Sequence, residues 1–268
     1  MPGSISDSPF PPPWLLAALQ GIRQARFDQD VWLWVAGFLV LYVMVTNLFW
    51  FVPALRPWSR GTPLLVGRFL GFSAPPYFAL QTGLVTTSAM GLAHLDWLHP
   101  FGAGLLAAAA LLVIIALAAW HYRTWAASSE TAAAVRLATP THDDVPVLLV
   151  PFLAAAEQLY WALVRVGSTA FLALAGAPPD ASVYWGAWLG AGLLVLTWLA
   201  NTAWRHTVRS PAGAYAELLR LCLAVASTAL FVLSGNLWVS WVFHVTCWWI
   251  AQFAQARVRR IVQHATLP

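Results

Sequence analysis

The chain has 268 residues, of which 60% are hydrophobic and only 9% are charged. This composition excludes an ordinary soluble domain, in which about a quarter of the residues are charged. The formal net charge is +4 and every basic residue is an arginine. Most of these arginines lie between apolar stretches, so the charge does not imply nucleic acid binding. The sequence therefore predicts an all-α, polytopic membrane helical bundle.

Apolar stretches of about 20 residues, the length that crosses a hydrocarbon core, recur along the chain. We predict about seven transmembrane helices. In chain order they cover residues 31–51, 63–90, 102–120, 145–174, 183–204, 214–233 and 237–256. Pro75 and Pro76 are expected to kink or break the second of them, because proline removes a helical hydrogen bond.

These stretches divide the chain into five parts. Residues 1–30 form an N-terminal tail in which 14–24 is a candidate interfacial helix, and 31–121 hold three transmembrane helices. Residues 122–144 form a cytoplasmic loop, 145–260 form a four-helix core, and 261–268 form a C-terminal tail. No soluble stretch is long enough for a second domain.

Arginine placement predicts the orientation, because cytoplasmic loops of membrane proteins are enriched in basic residues. One set of predicted connections carries most of the arginines: Arg56, Arg60, Arg68, Arg123, Arg136, Arg205, Arg209, Arg257, Arg259 and Arg260. The opposite set carries only Arg23 and Arg26, near Asp28 and Asp30. We therefore expect the N-terminus outside, the C-terminus inside, and a multi-pass protein of the cell inner (plasma) membrane.

Glu157 lies inside the long apolar run of the fourth predicted span. A carboxylate inside a bilayer is costly, so such a residue is neutral, paired, or faces a wet cavity, and it marks a candidate functional site. It shares a helical face with Trp161 and Arg165, at positions i, i+4 and i+8. Arg165 is about 12 Å further along the helix axis, too far for an easy direct ion pair.

His244 is the candidate partner of Glu157. It precedes Arg257 at the same spacing at which Glu157 follows Asp144. Both side chains therefore lie about 20 Å from the cytoplasmic helix ends and could meet. Such a pair can activate water as a general base, ligate a metal, or hold two helices together. The spacing alone does not distinguish these three roles.

Two further patterns bear on packing and chemistry. Gly186 and Gly190 form a GxxxG motif on the fifth span, which predicts a close approach of two helices. The sequence has no Gly-rich phosphate loop, no CxxC, no HExxH and no GxSxG. ATP-driven work and ordinary zinc or serine hydrolase chemistry are therefore unsupported.

The C-terminal part, about residues 145–256, resembles the CPBP intramembrane proteases, which include the CAAX prenyl endopeptidases and the bacterial Abi proteins. That family carries EExxxR, then FxxxH, then HxxxN or HxxxD. The corresponding segments here are Glu157-Gln158-Leu-Tyr-Trp-Ala162, Thr202-Ala-Trp-Arg-His206 and His244-Val-Thr-Cys-Trp248. The lead-in from Ser234-Gly-Asn-Leu-Trp to His244 and the order of the spans are also similar.

The resemblance implies catalytic roles for Glu157 and His206, which would activate water, and for His244, which would stabilise the oxyanion. The chain departs from the family pattern at four supporting positions: Gln158, Ala162, Thr202 and Trp248. Losing one oxyanion donor alone costs several kcal/mol of transition-state stabilisation, about 3 kcal/mol in a well-studied case. The chain is therefore interpreted as a degenerate member of the family.

Three functions follow as hypotheses. The first is a non-catalytic accessory or assembly subunit of a membrane complex of photosynthetic or respiratory type, with the lipid bilayer and other membrane-protein subunits as partners. The alternative is an intramembrane endopeptidase that uses a Glu-activated water. The third is a small-molecule carrier whose polar lining is Gln81, Thr82, Thr86 and Thr87. We expect no metal site, and the sequence does not identify a cofactor.

Overall fold

The computed structural model describes residues 30–55, 61–93, 106–114, 116–117, 146–209 and 211–250. Throughout these ranges the regular structure is helical and no strand is present. The predicted interfacial helix at 14–24, the loop at 122–144 and the tail at 261–268 lie outside the described residues.

The helices are numbered here in chain order. They are α1 (Val31–Phe51), α2 (Gly61–Gln81), α3 (106–114, continuing at 116–117), α4 (Val150–Leu174), α5 (Pro179–Ala200), α6 (Thr202–Thr207), α7 (Pro211–Ser234) and α8 (Leu237–Ile250). A short 3-10 turn, Val147–Leu149, leads into α4.

Four described helices are long and apolar enough to cross a membrane: Val31–Phe51, Val147–Leu174, Pro179–Ala200 and Ala216–Ser234. Large apolar side chains such as Val40, Met44 and Leu48 are exposed on the surface of the bundle. That surface is suited to lipid, because apolar side chains face the hydrocarbon of a bilayer. The structure thus confirms the all-helical, multi-pass membrane class.

Helix α2 differs from the predicted second span. Pro75 and Pro76 lie inside the helix and do not end it, and the chain leaves the helix at Gln81. Beyond it, residues 82–93 form turns rather than the predicted continuation to residue 90, with Gly83 and Gly91 both at φ 74°. A left-handed conformation of this kind is open to glycine and interrupts a helix. Helix α2 is not among the helices apolar enough to span a membrane.

The predicted fifth span, 183–204, is divided into two helices. Helix α5 ends at Ala200, and Asn201 adopts an extended conformation. The side chain of Asn201 accepts hydrogen bonds from the backbone N–H groups of Ala203 and Trp204, so it acts as the N-cap of α6. This cap separates α6 from the membrane-spanning part of α5.

Helix α4 is central and contacts α1, α2 and α5. A Cβ added at Gly186 of α5 would lie 2.6 Å from the Cα of Thr169, and one at Gly190 would lie 3.0 Å from the Cα of Arg165. The absence of side chains at these two positions lets α4 and α5 approach closely. The packing role predicted for the GxxxG motif is confirmed.

The turn segment 82–93 packs against the turn between α7 and α8. The backbone N–H of Leu237 donates to the carbonyl of Gly91 at 3.0 Å, and Trp238 Nε1 donates to the carbonyl of Leu92 at 3.3 Å. Gly91 leaves no room for a side chain, since its Cβ would lie 2.8 Å from the carbonyl oxygen of Gly235. This contact fixes the end of the N-terminal helices on the C-terminal ones.

We predict that Gly186→Ala lowers the free energy of unfolding by about 1–3 kcal/mol, because the added methyl group must displace the backbone of α4. Thermal unfolding of the purified protein in detergent micelles measures the change. Gly192→Ala is the matched control on the same helix, since its Cβ would meet no atom within 4 Å. Equal effects of the two variants would contradict the packing role of Gly186.

Candidate functional site

The candidate site is a buried ion cluster around Glu157 on α4. The residue is 2% exposed. Its Oε1 accepts a hydrogen bond from Arg68 Nη2 of α2 at 2.6 Å and lies 3.6 Å from Arg220 Nη2 of α7. Its Oε2 lies 3.6 Å from His244 Nε2 of α8. One carboxylate thus connects four helices.

Arg68 has a different position from the one predicted. The arginine pattern predicts that it belongs to a cytoplasmic connection, but it lies within α2, and its side chain is 20% exposed and bound to Glu157. A carboxylate inside the bundle attracts an arginine because an unpaired buried charge is far more costly than a paired one. Arg68 is therefore not one of the connection arginines from which the orientation is predicted.

Arg220 is the second cation of the cluster. Its guanidinium carbon lies 4.8 Å from the ring centroid of Trp198. A cation–π contact holds a planar guanidinium in a fixed orientation. Arg220 thereby connects α5 and α7 to the carboxylate on α4.

The imidazole of His244 is fixed from three sides. Trp161 stacks on it at 5.3 Å between ring centroids with an interplanar angle of 16°, and Trp248 meets it edge-on at 5.4 Å. Gln158 Nε2 donates to Ser227 Oγ at 2.8 Å and lies 3.0 Å from His244 Nδ1. The other ring nitrogen, Nε2, faces Glu157.

His206 is in a different place. It lies on α6, where its side chain is exposed and its ring packs on Trp50 of α1 at 5.1 Å between centroids. The described structure brings Glu157 and His244 together, as their spacing predicted. It does not bring His206 into contact with either of them.

The polar residues considered for a carrier do not line an interior space. Gln81, Thr82, Thr86 and Thr87 are all exposed, at the end of α2 and in the turns after it. Thr82 Oγ1 donates to the carbonyl of Phe78 at 2.7 Å, and Thr86 Oγ1 accepts from the backbone of Ala89. The hydroxyl groups of these two threonines serve local structure.

Metal binding is not supported by the described ranges, which contain no group of three or more His, Cys, Asp or Glu residues placed to hold an ion. The nearest approach is the cluster itself, in which two arginines surround the single carboxylate. Cations repel a metal ion and compete for the same oxygen atoms.

Arg220, like Arg68, is a site residue that sequence reasoning missed. It lies in the apolar run Leu218-Leu219-Arg220-Leu221-Cys222-Leu223. An ionisable residue inside an apolar helix is a functional or structural signal whichever its sign. The same criterion that selected Glu157 would have selected Arg220 as its partner.

The geometry of the cluster favours ion pairing over proton transfer. Oε1 is approached by two guanidinium groups. The 3.6 Å between Oε2 and His244 Nε2 is longer than a hydrogen bond. Comparison of the chain with protein-family models, with curated proteins and with solved structures finds no match in any of the three.

We predict that Glu157→Gln lowers the free energy of unfolding by about 3 kcal/mol, because two arginines lose their shared counter-charge. The estimate is at the lower end for buried pairs, since Arg68 is partly exposed. Chemical or thermal unfolding in micelles measures it. Asp180→Asn, at the exposed start of α5, is the matched acid-to-amide control and should change stability by less than about 0.5 kcal/mol.

A double variant measures the interaction free energy between Arg68 and Glu157. Arg68→Gln combined with Glu157→Gln should be more stable than the sum of the single changes indicates, by about 1 kcal/mol or more. Additive effects would show that the contact between the two side chains contributes nothing to folding.

Proposed function

We propose that the chain is a degenerate, CPBP-like membrane protein that acts as a non-catalytic accessory or assembly subunit of a membrane complex of photosynthetic or respiratory type. One observation carries this proposal. Glu157 is held by Arg68, Arg220 and His244, whereas His206 packs on Trp50 at an exposed position.

The separation of His206 from Glu157 argues against water activation. A general base and its partner must reach one water molecule at hydrogen-bond distance, about 3 Å. Asn201 caps α6 outside the end of α5, and this places His206 on the surface. The last position of the HxxxN motif also differs. It is Trp248 here, and its ring lies edge-on against His244 where the resemblance implies a small amide.

The cluster suits a structural role. Buried ion pairs add little net stability, but breaking one is costly, so they favour one arrangement of the helices over others. Glu157 fixes α2, α7 and α8 around α4 in this way. A subunit that presents a constant surface to its neighbours needs such a fixed arrangement.

The outer surface offers contact area for partners within the membrane. Trp185 on α5 is 60% exposed and Trp249 on α8 is 38% exposed. Tryptophan is enriched at protein–protein contacts because it provides a large, rigid surface with one hydrogen-bond donor. We infer that neighbouring subunits and lipid contact this surface.

We expect His206→Ala to leave the function of the protein intact. The variant removes an exposed ring, so it should fold normally, and a scaffold does not need the imidazole. The measurement compares cells that lack the chain with cells that express the wild type or the variant. Its readouts are the size and amount of membrane complexes on native gels and the termini of membrane proteins.

Arg205→Ala is the matched control, since Arg205 is exposed on the same short helix and its side chain donates to Thr202. The endopeptidase is the competing hypothesis, and the uncommitted Nε2 of His244 facing Glu157 is the observation in its favour. A normally folded His206→Ala variant that loses the same processed termini as the deletion, while Arg205→Ala keeps them, would favour the endopeptidase and overturn the scaffold.

We further propose seven spans in the cell inner membrane, with the N-terminus outside and the C-terminus inside. The arginines of the predicted connections support this orientation, Arg68 excepted. Alkaline phosphatase fused after Gly176 should be active, and the same enzyme fused after Arg209 should be inactive, because its disulfides form only outside the cytoplasm. The two sites flank α5, so the opposite pattern would reverse the proposed topology.

A further inference from the structure

Arg165 is a buried cation that the Glu157 cluster does not use. It lies on α4 about 12 Å along the axis from Glu157, and it is 2% exposed. Its guanidinium carbon lies 4.4 Å from the ring centroid of Phe231 on α7. Its backbone faces Gly190 of α5. The side chain is therefore enclosed by α4, α5 and α7.

One edge of the Arg165 guanidinium is formed by Nε and Nη2. Within the described ranges, Arg165 Nε and Nη2 are both buried and have no hydrogen-bond acceptor. These two nitrogens direct parallel N–H bonds from the same side of the group. The spacing of such an edge matches the two oxygen atoms of a carboxylate. The Phe231 ring covers the flat face, so this edge is the part of the guanidinium that still lacks an acceptor.

The charge around Arg165 is uncompensated by the described acidic residues. Glu157 is already shared by two arginines, and Glu217 lies near Arg220, about 21 Å along α7 from Phe231. Asp30 and Asp180 stand at the starts of α1 and α5. An arginine stays protonated in proteins, and a buried cation requires a counter-charge.

We propose that Arg165 is the anchor of a binding site for a carboxylate ligand, which it grips through Nε and Nη2 between α4, α5 and α7. The ligand is either a fatty acid from the bilayer or a water-soluble carboxylic acid. The site is separate from the Glu157 cluster, and this proposal does not depend on the scaffold function.

The test uses the full chain in nanodiscs of phosphatidylcholine, titrated with sodium acetate, with sodium laurate, or with sodium chloride at matched ionic strength. Binding is followed by the shift in Tm and by ¹³C NMR of a labelled carboxylate. We expect a saturable rise in Tm with at least one carboxylate and no such rise with chloride. A response to acetate identifies a water-soluble source, and a response to laurate alone identifies the membrane.

Arg165→Lys should weaken carboxylate binding roughly tenfold, because an ammonium group cannot make the two parallel hydrogen bonds. Arg205→Gln removes an exposed arginine and should leave binding unchanged. Direct NMR binding to the wild type keeps the test valid where an Arg165 variant folds poorly. The proposal is overturned if neither carboxylate binds the wild type, if chloride acts equally, or if Arg165→Lys binds as tightly.

Discussion

The ion pair between Glu157 and Arg68 is the interaction on which the other helices depend. Their side chains belong to helices α4 and α2, and they meet at 2.6 Å within an apolar bundle. Neither charge can be left alone there without a large desolvation cost. Because Arg220 and His244 complete the surroundings of the carboxylate, the positions of α7 and α8 follow from the same requirement.

Much of this arrangement is visible in the sequence. The apolar stretches predict the helices, and equal spacing from charged helix ends predicts that Glu157 and His244 meet. The partner Arg68 could not be predicted, because nothing local distinguishes an arginine at a helix end from one that turns inward. Only the family resemblance put His206 beside Glu157; its exposed position follows from Asn201, which ends α5 and starts α6.

The role of a residue retained from the family motif depends on its neighbours in the structure. Gln158 stands where the resemblance implies a second glutamate, and its amide joins Ser227 to His244. Trp161 and Trp248 pack on the same imidazole. A histidine enclosed by two indoles and an amide has little freedom to approach a substrate. Of the three letters Glu, His and His, two meet in the buried cluster, and the third, His206, packs on Trp50 outside it.

The composition of α2 has a consequence for how the protein enters the membrane. This helix contains Arg68, Pro75 and Pro76 and lacks the apolar character of the four long spans. Leaving α2 alone in lipid would bury an arginine without a counter-charge, which is costly. Its carboxylate partner is synthesised 89 residues later, at Glu157. A span formed by α2 would therefore gain its counter-charge only once α4 had been synthesised, which would link the two halves of the chain.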